Sequence, residues 1–169
     1  MTAETRSPAP APRPGELPPV AATYVEAPAE HPGGGHGIFL AGGISGCANW
    51  QAEAVRLLAD IPVALFNPRR ADFPLGDPNV ARAQIEWEFR HLRRADVVLF
   101  WFAAGPSPQP ITLFELGSQA SVGKPLAVGA DPDYIRRIDV VCQLGLLRPD
   151  LVVHDSLEQT CAAARALLG

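Results

Sequence analysis

The sequence contains no long apolar run and no block of basic residues. No stretch approaches the roughly 20 consecutive apolar residues that a membrane-spanning helix requires, and the formal net charge is −4. A slightly acidic chain without a basic block argues against nucleic acid or an anionic membrane as the main partner. The N-terminus also lacks the charged and then apolar pattern of a secretion signal, which predicts a cytoplasmic protein.

Cysteine is scarce as well. Cys47, Cys142 and Cys161 form no CxxC pair and do not have the spacing of zinc ligands. An odd number of cysteines fits free thiols in a reducing compartment. No motif indicates a catalytic role for any of them, and no metal site is expected.

The first 36 residues differ in composition from the rest of the chain. They include SPAPAPRPGELPP and EAPAEHPGGGHG, which are dense in Pro, Ala and Gly. Such a composition disfavours helices and strands and leaves little apolar surface to bury. We therefore predict a disordered tail over residues 1–36 and one domain over residues 37–169. His31 and His36 lie in the tail, which supplies no further metal ligands.

From residue 37 onward, short apolar runs alternate with segments of helical spacing. This alternation predicts a parallel sheet with right-handed crossovers. We expect a three-layer, flavodoxin-like, doubly wound α/β fold with five parallel strands in the order 2-1-3-4-5. Ser156 is a candidate N-cap of the last helix. The strands are predicted at 37–42, 62–68, 96–102, 124–130 and 151–155, and the helices at 48–59, 79–94, after residue 110, at 132–145 and at 156–168.

This topology predicts the position of a ligand site. Ligands of open α/β sheets bind at the carboxyl ends of the strands, near the point where the strand order reverses. The loops after the first and third strands, GGISGCANWQ and AAGPSPQPITLFE, meet there. Gly42, Gly43 and Gly46 would let a ligand approach the backbone, although they do not form a GxGxxG motif. Asn67 and Arg69, just after the second strand, could bind a sugar or an anionic substituent, or could be ordinary surface residues.

A carboxylate on the long helix is the first candidate for chemistry. Ile85, Phe89 and Leu92 have the spacing of a buried apolar stripe, and Glu88 falls on that stripe. A carboxylate on a buried face is costly unless it is paired or used. Glu88 is therefore either a functional group or a buried partner for a helix N-terminus or for an arginine, for which Arg69 and Arg70 are the candidates.

Glu115 is the second candidate. Thr112 and Glu115 have the spacing of a capping box, which would make the carboxylate a structural helix cap. The alternative is that Glu115, at the start of a helix after the third strand, is kept ionised by the helix dipole. An ionised carboxylate in a dry pocket can attack an electron-poor carbon.

Three segments in this order resemble one known family. IFLAGGIS…NWQ, IEWEFRHLRRADVVLFWF and ITLFELGSQASVGKPLAV are similar to the nucleoside 2-deoxyribosyltransferases and their nucleoside-hydrolase-like relatives, over about residues 37–130. The most specific part is an acidic residue on the helix before ADVVL, paired with ELG after the next loop.

The resemblance implies roles for individual residues. Glu115 matches the ELG nucleophile, which attacks the anomeric carbon and forms a glycosyl-enzyme intermediate, and Glu88 matches a residue that positions the sugar. Phe39 stands where the transferases carry a Tyr, and Gln109 lies near their acidic loop residue, which handles the leaving base. The other substrate-binding candidates are Gly42, Gly43, Gln51, Asn67 and Arg69.

The expected activity is transfer or hydrolysis of an N-glycosidic bond in a small-molecule nucleoside or nucleotide, with no metal or organic cofactor. A carboxylate can stabilise the oxocarbenium-like transition state and trap the sugar covalently. Trp50, Trp101 and Phe102 could stack on a base or belong to the core. The resemblance also implies a homo-oligomer. The alternatives are a catalytically inactive nucleoside-binding or nucleotide-binding module, or a recruitment protein that uses the Pro-rich tail.

Overall fold

The computed structural model describes residues 22–71 and 77–169. These residues form a six-stranded parallel sheet with helices on both faces, which confirms the predicted mixed α/β class. The strands are β1 (Thr23–Glu26), β2 (His36–Gly42), β3 (Val63–Asn67), β4 (Val97–Phe102), β5 (Leu126–Ala130) and β6 (Val153–His154). The helices are α1 (Trp50–Leu57), α2 (Pro78–Arg94), α3 (Pro110–Ser121), α4 (Arg137–Leu147) and α5 (Leu157–Ala166).

The sheet has the order β1-β3-β2-β4-β5-β6. The five predicted strands correspond to β2 through β6 and keep the expected 2-1-3-4-5 order among themselves. The prediction of only five strands is wrong, because β1 adds a parallel edge strand beside β3, with Thr23 opposite Ala64. The order still reverses between β2 and β4, so the predicted switch point is where the structure has it.

The alternating side chains of the central strands divide the core into two layers. Phe39, Val98 and Phe100 point to the face covered by α2, α3 and α4. Ile38 and Leu99 point to the opposite face, covered by α1 and α5. Every residue of β4 is buried, as expected for a strand that is covered on both sides.

The predicted tail boundary at residue 36 is wrong. Residues 23–26 form β1, and the following segment lies against α2, where Trp87 Nε1 donates to the Ala29 carbonyl at 2.8 Å and Arg94 Nη1 donates to the His31 carbonyl at 2.8 Å. The Pro- and Gly-rich composition gives no indication of these contacts, because they are made mainly to backbone atoms. Residues 1–21 of the predicted tail lie outside the described part of the chain.

The starts of the last two helices differ in how well they agree with the prediction. Ser156 is the N-cap of α5, as predicted, and its side chain accepts a hydrogen bond from the Gln159 amide at 3.2 Å. Helix α4 begins at Arg137 and not at residue 132, because Asp131 and Tyr134 form a turn first. In residues 22–71 and 77–169, no helix combines the length and apolar character needed to cross a membrane.

Candidate active site

A cleft of about 310 Å³ opens at the carboxyl ends of β2 and β4. Two loops, one after each strand, form its walls, and α2 and α3 contribute one carboxylate each. This is the position expected for a ligand site in an open α/β sheet. The described residues that line it are Phe39, Gly42, Gly43, Ile44, Ser45, Pro68, Glu88, Ser107, Gln109, Pro110, Ile111, Thr112 and Glu115.

Glu115 is not a helix cap. Helix α3 begins at Pro110, and its N-cap is Gln109, which makes no side-chain capping bond. Thr112 therefore lies inside the first turn and is buried, while Glu115 lies in the second turn and faces the cleft. The capping-box interpretation is wrong because the helix starts at the proline, three residues earlier than a cap at Thr112 would require.

Glu88 is held in the cleft by another side chain of its own helix. Gln84, one turn earlier, donates one amide N–H to Glu88 Oε1 at 2.9 Å and the other to the Pro68 carbonyl at 2.8 Å. The amide is buried and ties α2 to the end of β3. Arg69, one of the two predicted partners of Glu88, donates elsewhere, to Gln51 Oε1 at 3.2 Å and to the Ala48 carbonyl at 3.0 Å.

The predicted apolar stripe of α2 is correct for Leu92 and wrong for Ile85 and Phe89. Ile85 is 65 % exposed and Phe89 is 62 % exposed. The buried face consists of Gln84, Trp87, His91 and Leu92. Trp87 and His91 stack with ring centroids 3.9 Å apart, so aromatic and polar side chains take the core positions that the apolar pattern assigned to isoleucine and phenylalanine. Glu88 lies at the edge of the buried face and is half-buried.

The two carboxylates affect each other electrostatically. Burial raises the pKa of Glu115 to about 8, and the negative charge of Glu88 contributes to that rise. Burial also raises the pKa of Glu88, although the hydrogen bond from Gln84 opposes the change. At pH 7 a carboxyl group with a pKa of about 8 is ionised in roughly one molecule in ten. Burial and Glu88 therefore act against the expected effect of the helix dipole, which would keep Glu115 ionised.

Three predicted substrate-binding residues lie behind the cleft wall. Gln51 is fully buried, and its amide donates to the Gly43 carbonyl at 3.4 Å. Asn67 is buried and bonds the Tyr24 hydroxyl and the Arg69 amide. The Arg69 guanidinium adds a bond to the Cys47 carbonyl at 3.4 Å. Gln51 and Arg69 support the loop after β2, Asn67 supports the chain after β3, and none of the three lines the cleft.

Gln109 lines the cleft with its amide turned inward. Its Nε2 donates to the Ala103 carbonyl at 2.8 Å, and its Oε1 is buried with no hydrogen-bond partner in the described residues. The residue has a φ of 49°, a left-handed conformation that is costly for a non-glycine residue and that the loop must maintain. Gln109 therefore closes the end of the cleft and offers it no acid.

The glycines of the loop after β2 are required for close packing. A Cβ at Gly43 would lie 2.6 Å from both Cys47 Sγ and Gln109 Cδ, and a Cβ at Gly42 would lie 2.3 Å from the Trp101 carbonyl oxygen. Phe39, at 1 % exposure, lies at the cleft with no hydroxyl to offer.

The sequence indicated the aromatic side chains near the site better than it indicated the partner of Glu88. Trp50, Trp101 and Phe102 are buried core residues and do not line the cleft, so the core alternative is correct for them. Gln84 was missed, although its position four residues before Glu88 is a recognisable signal for a side-chain pair on one helix face.

This combination defines an open α/β domain with a paired-carboxylate cleft at its topological switch point. A family model described as "Nucleoside 2-deoxyribosyltransferase like" matches residues 35–134, more than half of the chain, and the chain belongs to that family. Family membership supports nucleoside glycosyl transfer in general and indicates a nucleoside-modifying enzyme. Comparison with curated proteins finds no match.

Proposed function

We propose that the cleft cleaves the N-glycosidic bond of a nucleoside or nucleotide, with Glu115 as the nucleophile and Glu88 in support. The observation that carries the proposal is the presence of both carboxylates in one cleft at the carboxyl ends of β2 and β4. The matched family segment includes both residues.

The chemistry proceeds in two displacements. The ionised carboxylate of Glu115 forms a bond to the anomeric carbon while the bond to the base nitrogen breaks and its electron pair leaves with the base. An acceptor then attacks the glycosyl ester and restores the carboxylate of Glu115. A second base as the acceptor gives transfer, and water as the acceptor gives hydrolysis.

Glu88 supports the reaction through its charge and its position. A carboxylate beside the anomeric carbon stabilises the positive charge that develops there in the transition state. Its free oxygen can also accept a hydrogen bond from a sugar hydroxyl. The bond from Gln84 restricts Glu88 to one orientation, so little reorganisation is needed during the reaction.

A non-catalytic nucleoside-binding module is the second candidate. The observation that favours it is the environment of Glu115, because burial and Glu88 raise the pKa of Glu115 to about 8 and leave most of the carboxyl groups protonated at neutral pH. The inward-facing amide of Gln109 also provides no acid for the leaving base.

A panel assay separates the two candidates. Purified full-length protein is incubated with ribonucleosides, 2′-deoxyribonucleosides and their 5′-monophosphates, with and without a free base as acceptor, and released base is measured by chromatography. We expect base release by the wild type, at least about a thousandfold less by Glu115→Gln, and wild-type rates for the matched control Glu86→Gln, since Glu86 is exposed on α2.

The covalent step has its own test. A 2-fluoro-2-deoxy nucleoside destabilises the oxocarbenium-like transition state and slows release of a glycosyl-enzyme ester. Mass spectrometry of the intact protein should show the added sugar, and peptide mapping should place it on Glu115. Base release without any adduct would argue against a covalent intermediate. No release from any substrate would favour the binding module.

A further inference from the structure

We propose that the preferred substrates are nucleosides whose base carries a fixed positive charge, such as pyridinium or N-alkylated purine nucleosides. This inference rests on the proposed function, since it concerns the substrate class of the same cleft. It follows from two observations: the charge of the cleft, and the lack of a group that can protonate a leaving base.

The described lining of the cleft is acidic in composition. It contains Glu88 and Glu115 and no lysine, arginine or histidine. The neighbouring Arg69 uses its guanidinium on Gln51 and on the carbonyls of Ala48 and Cys47. The sequence of residues 72–76, which the structure does not describe, contains one aspartate and no basic residue.

A neutral base is a poor leaving group unless it receives a proton as the bond breaks. Glu115 must attack the anomeric carbon from the face opposite the base, so it cannot deliver that proton directly. Burial raises the pKa of Glu88, and the bond from Gln84 opposes that rise; the proposed role of Glu88, which is to stabilise positive charge at the anomeric carbon, requires its ionised form. The remaining polar side chains of the described lining are three hydroxyl groups, which are very weak acids, and the inward-facing amide of Gln109.

A cationic base removes this requirement. When the bond between the anomeric carbon and the charged nitrogen breaks, the electron pair neutralises the nitrogen, and the base leaves as a neutral molecule without any proton transfer. The carboxylate of Glu115 forms the new bond to the anomeric carbon in the same step. Charge and atoms therefore balance with no acid, metal or redox partner.

A cation in the cleft would also activate the nucleophile. Burial and the charge of Glu88 disfavour ionisation of Glu115. A positive base bound in the cleft counteracts that effect, so its binding should release a proton. Further ionisable groups in the described residues near the cleft include Cys47 and Arg69 behind the loop after β2, Arg70 two residues after Pro68, and Tyr134, whose hydroxyl donates to the Pro108 carbonyl.

The turnover test uses a matched pair of substrates. 7-Methylguanosine and guanosine differ by one methyl group and the positive charge that it creates, and their 2′-deoxy forms repeat the comparison with the other sugar. Base release is measured at about pH 6, with spontaneous hydrolysis subtracted. We expect kcat/KM to be at least about a hundredfold higher for the methylated nucleosides in the wild type and in Glu86→Gln. In Glu88→Gln the ratio should fall at least about tenfold.

The binding test does not depend on turnover. Nicotinamide riboside and its reduced, uncharged dihydro form are each titrated into three proteins: Glu115→Ala, Glu115→Gln and the wild type. Binding is measured by calorimetry in two buffers of different ionisation enthalpy, which reports the number of protons released. The cation should bind at least about tenfold more tightly than the neutral form in all three proteins. In the wild type, binding should release a proton in addition to the one that each hydrolysis event releases, which is counted from the released base, and the affinity should increase from pH 6 to pH 8. Neither Glu115 variant should release a proton.

The outcomes separate the two proposals. Equal or faster release from guanosine would overturn the charge preference and leave the glycosyl chemistry intact. No release from any nucleoside would overturn the glycosyl chemistry, and the calorimetry would then decide the charge preference alone. Equal affinity for the charged and the uncharged form of nicotinamide riboside would overturn the charge preference.

Discussion

Replacement of Glu115 with glutamine should change how stability depends on pH. The unfolded chain has an ordinary glutamate pKa near 4.5, whereas burial and Glu88 raise the pKa of Glu115 in the folded protein to about 8. The folded state therefore holds its proton more tightly than the unfolded state. As the pH rises from about 4.5 to about 8, the free energy of unfolding should fall, and it should change no further above that range.

The magnitude follows from the difference between the two pKa values. A change from 4.5 to about 8 corresponds to at most about 5 kcal/mol. The side chain is partly open to the solvent of the cleft, which weakens the effect, so we expect a loss of about 2 kcal/mol. Glu115→Gln has no titrating group at this position and should not show this loss. At pH 5 the two proteins should be similar, and at pH 9 the variant should be more stable by about 2 kcal/mol.

Urea unfolding at pH 5, 7 and 9 measures the difference. Other groups that titrate in this range, such as His31, are common to both proteins and cancel in the comparison. Glu86→Gln is the control, because its exposed carboxylate should give a difference that does not vary with pH. A constant difference between Glu115→Gln and wild type from pH 5 to pH 9 would refute the reasoning. Glu88→Gln removes the like charge and should move the midpoint for Glu115 to lower pH.

Three further predictions concern the cleft and the surface around it. Gly43→Ala should reduce activity and lower the free energy of unfolding by about 1 to 3 kcal/mol, because its Cβ would lie 2.6 Å from Cys47 Sγ. The control is Gly117→Ala, whose Cβ would meet open space and which should leave urea unfolding unchanged. Treatment with EDTA should leave base release unchanged, and a loss that zinc or magnesium restores would contradict a metal-free mechanism. The homo-oligomer remains a prediction, for which the exposed Ile111 and Phe114 on α3 are candidate contacts. Phe114→Glu should reduce the mass measured by light scattering, and a monomeric wild type would exclude the prediction.

The sequence identified the two carboxylates and the strands that position them because both signals are local. The alternation of apolar runs and helices predicts the strand order from β2 to β6, and the switch point between β2 and β4 follows from that order. Glu88 and Glu115 then fall on the elements that follow β3 and β4. Six of the nine predicted site residues line the cleft, namely Phe39, Gly42, Gly43, Glu88, Gln109 and Glu115.

Other features depend on contacts between distant residues and could not be predicted. Strand β1 is a short stretch in a Pro-rich region, and only its pairing with β3 makes it a strand. The buried face of α2 depends on Trp87 and His91 packing against the sheet, which an apolar pattern does not register. Gln51 and Asn67 have polar side chains typical of binding sites, and the fold uses them as internal supports.

The sequence by itself determined the α/β class, the strand order of β2 to β6 and the two carboxylates, since these depend on periodicity and on residue type. The tertiary structure decided the electrostatic state of the cleft. Burial and the proximity of Glu88 raise the pKa of Glu115, and neither effect is visible in a list of residues. The same fold turns the amide of Gln109 inward and uses Arg69 behind the loop, which leaves a cleft with two carboxylates and no cation in its described lining.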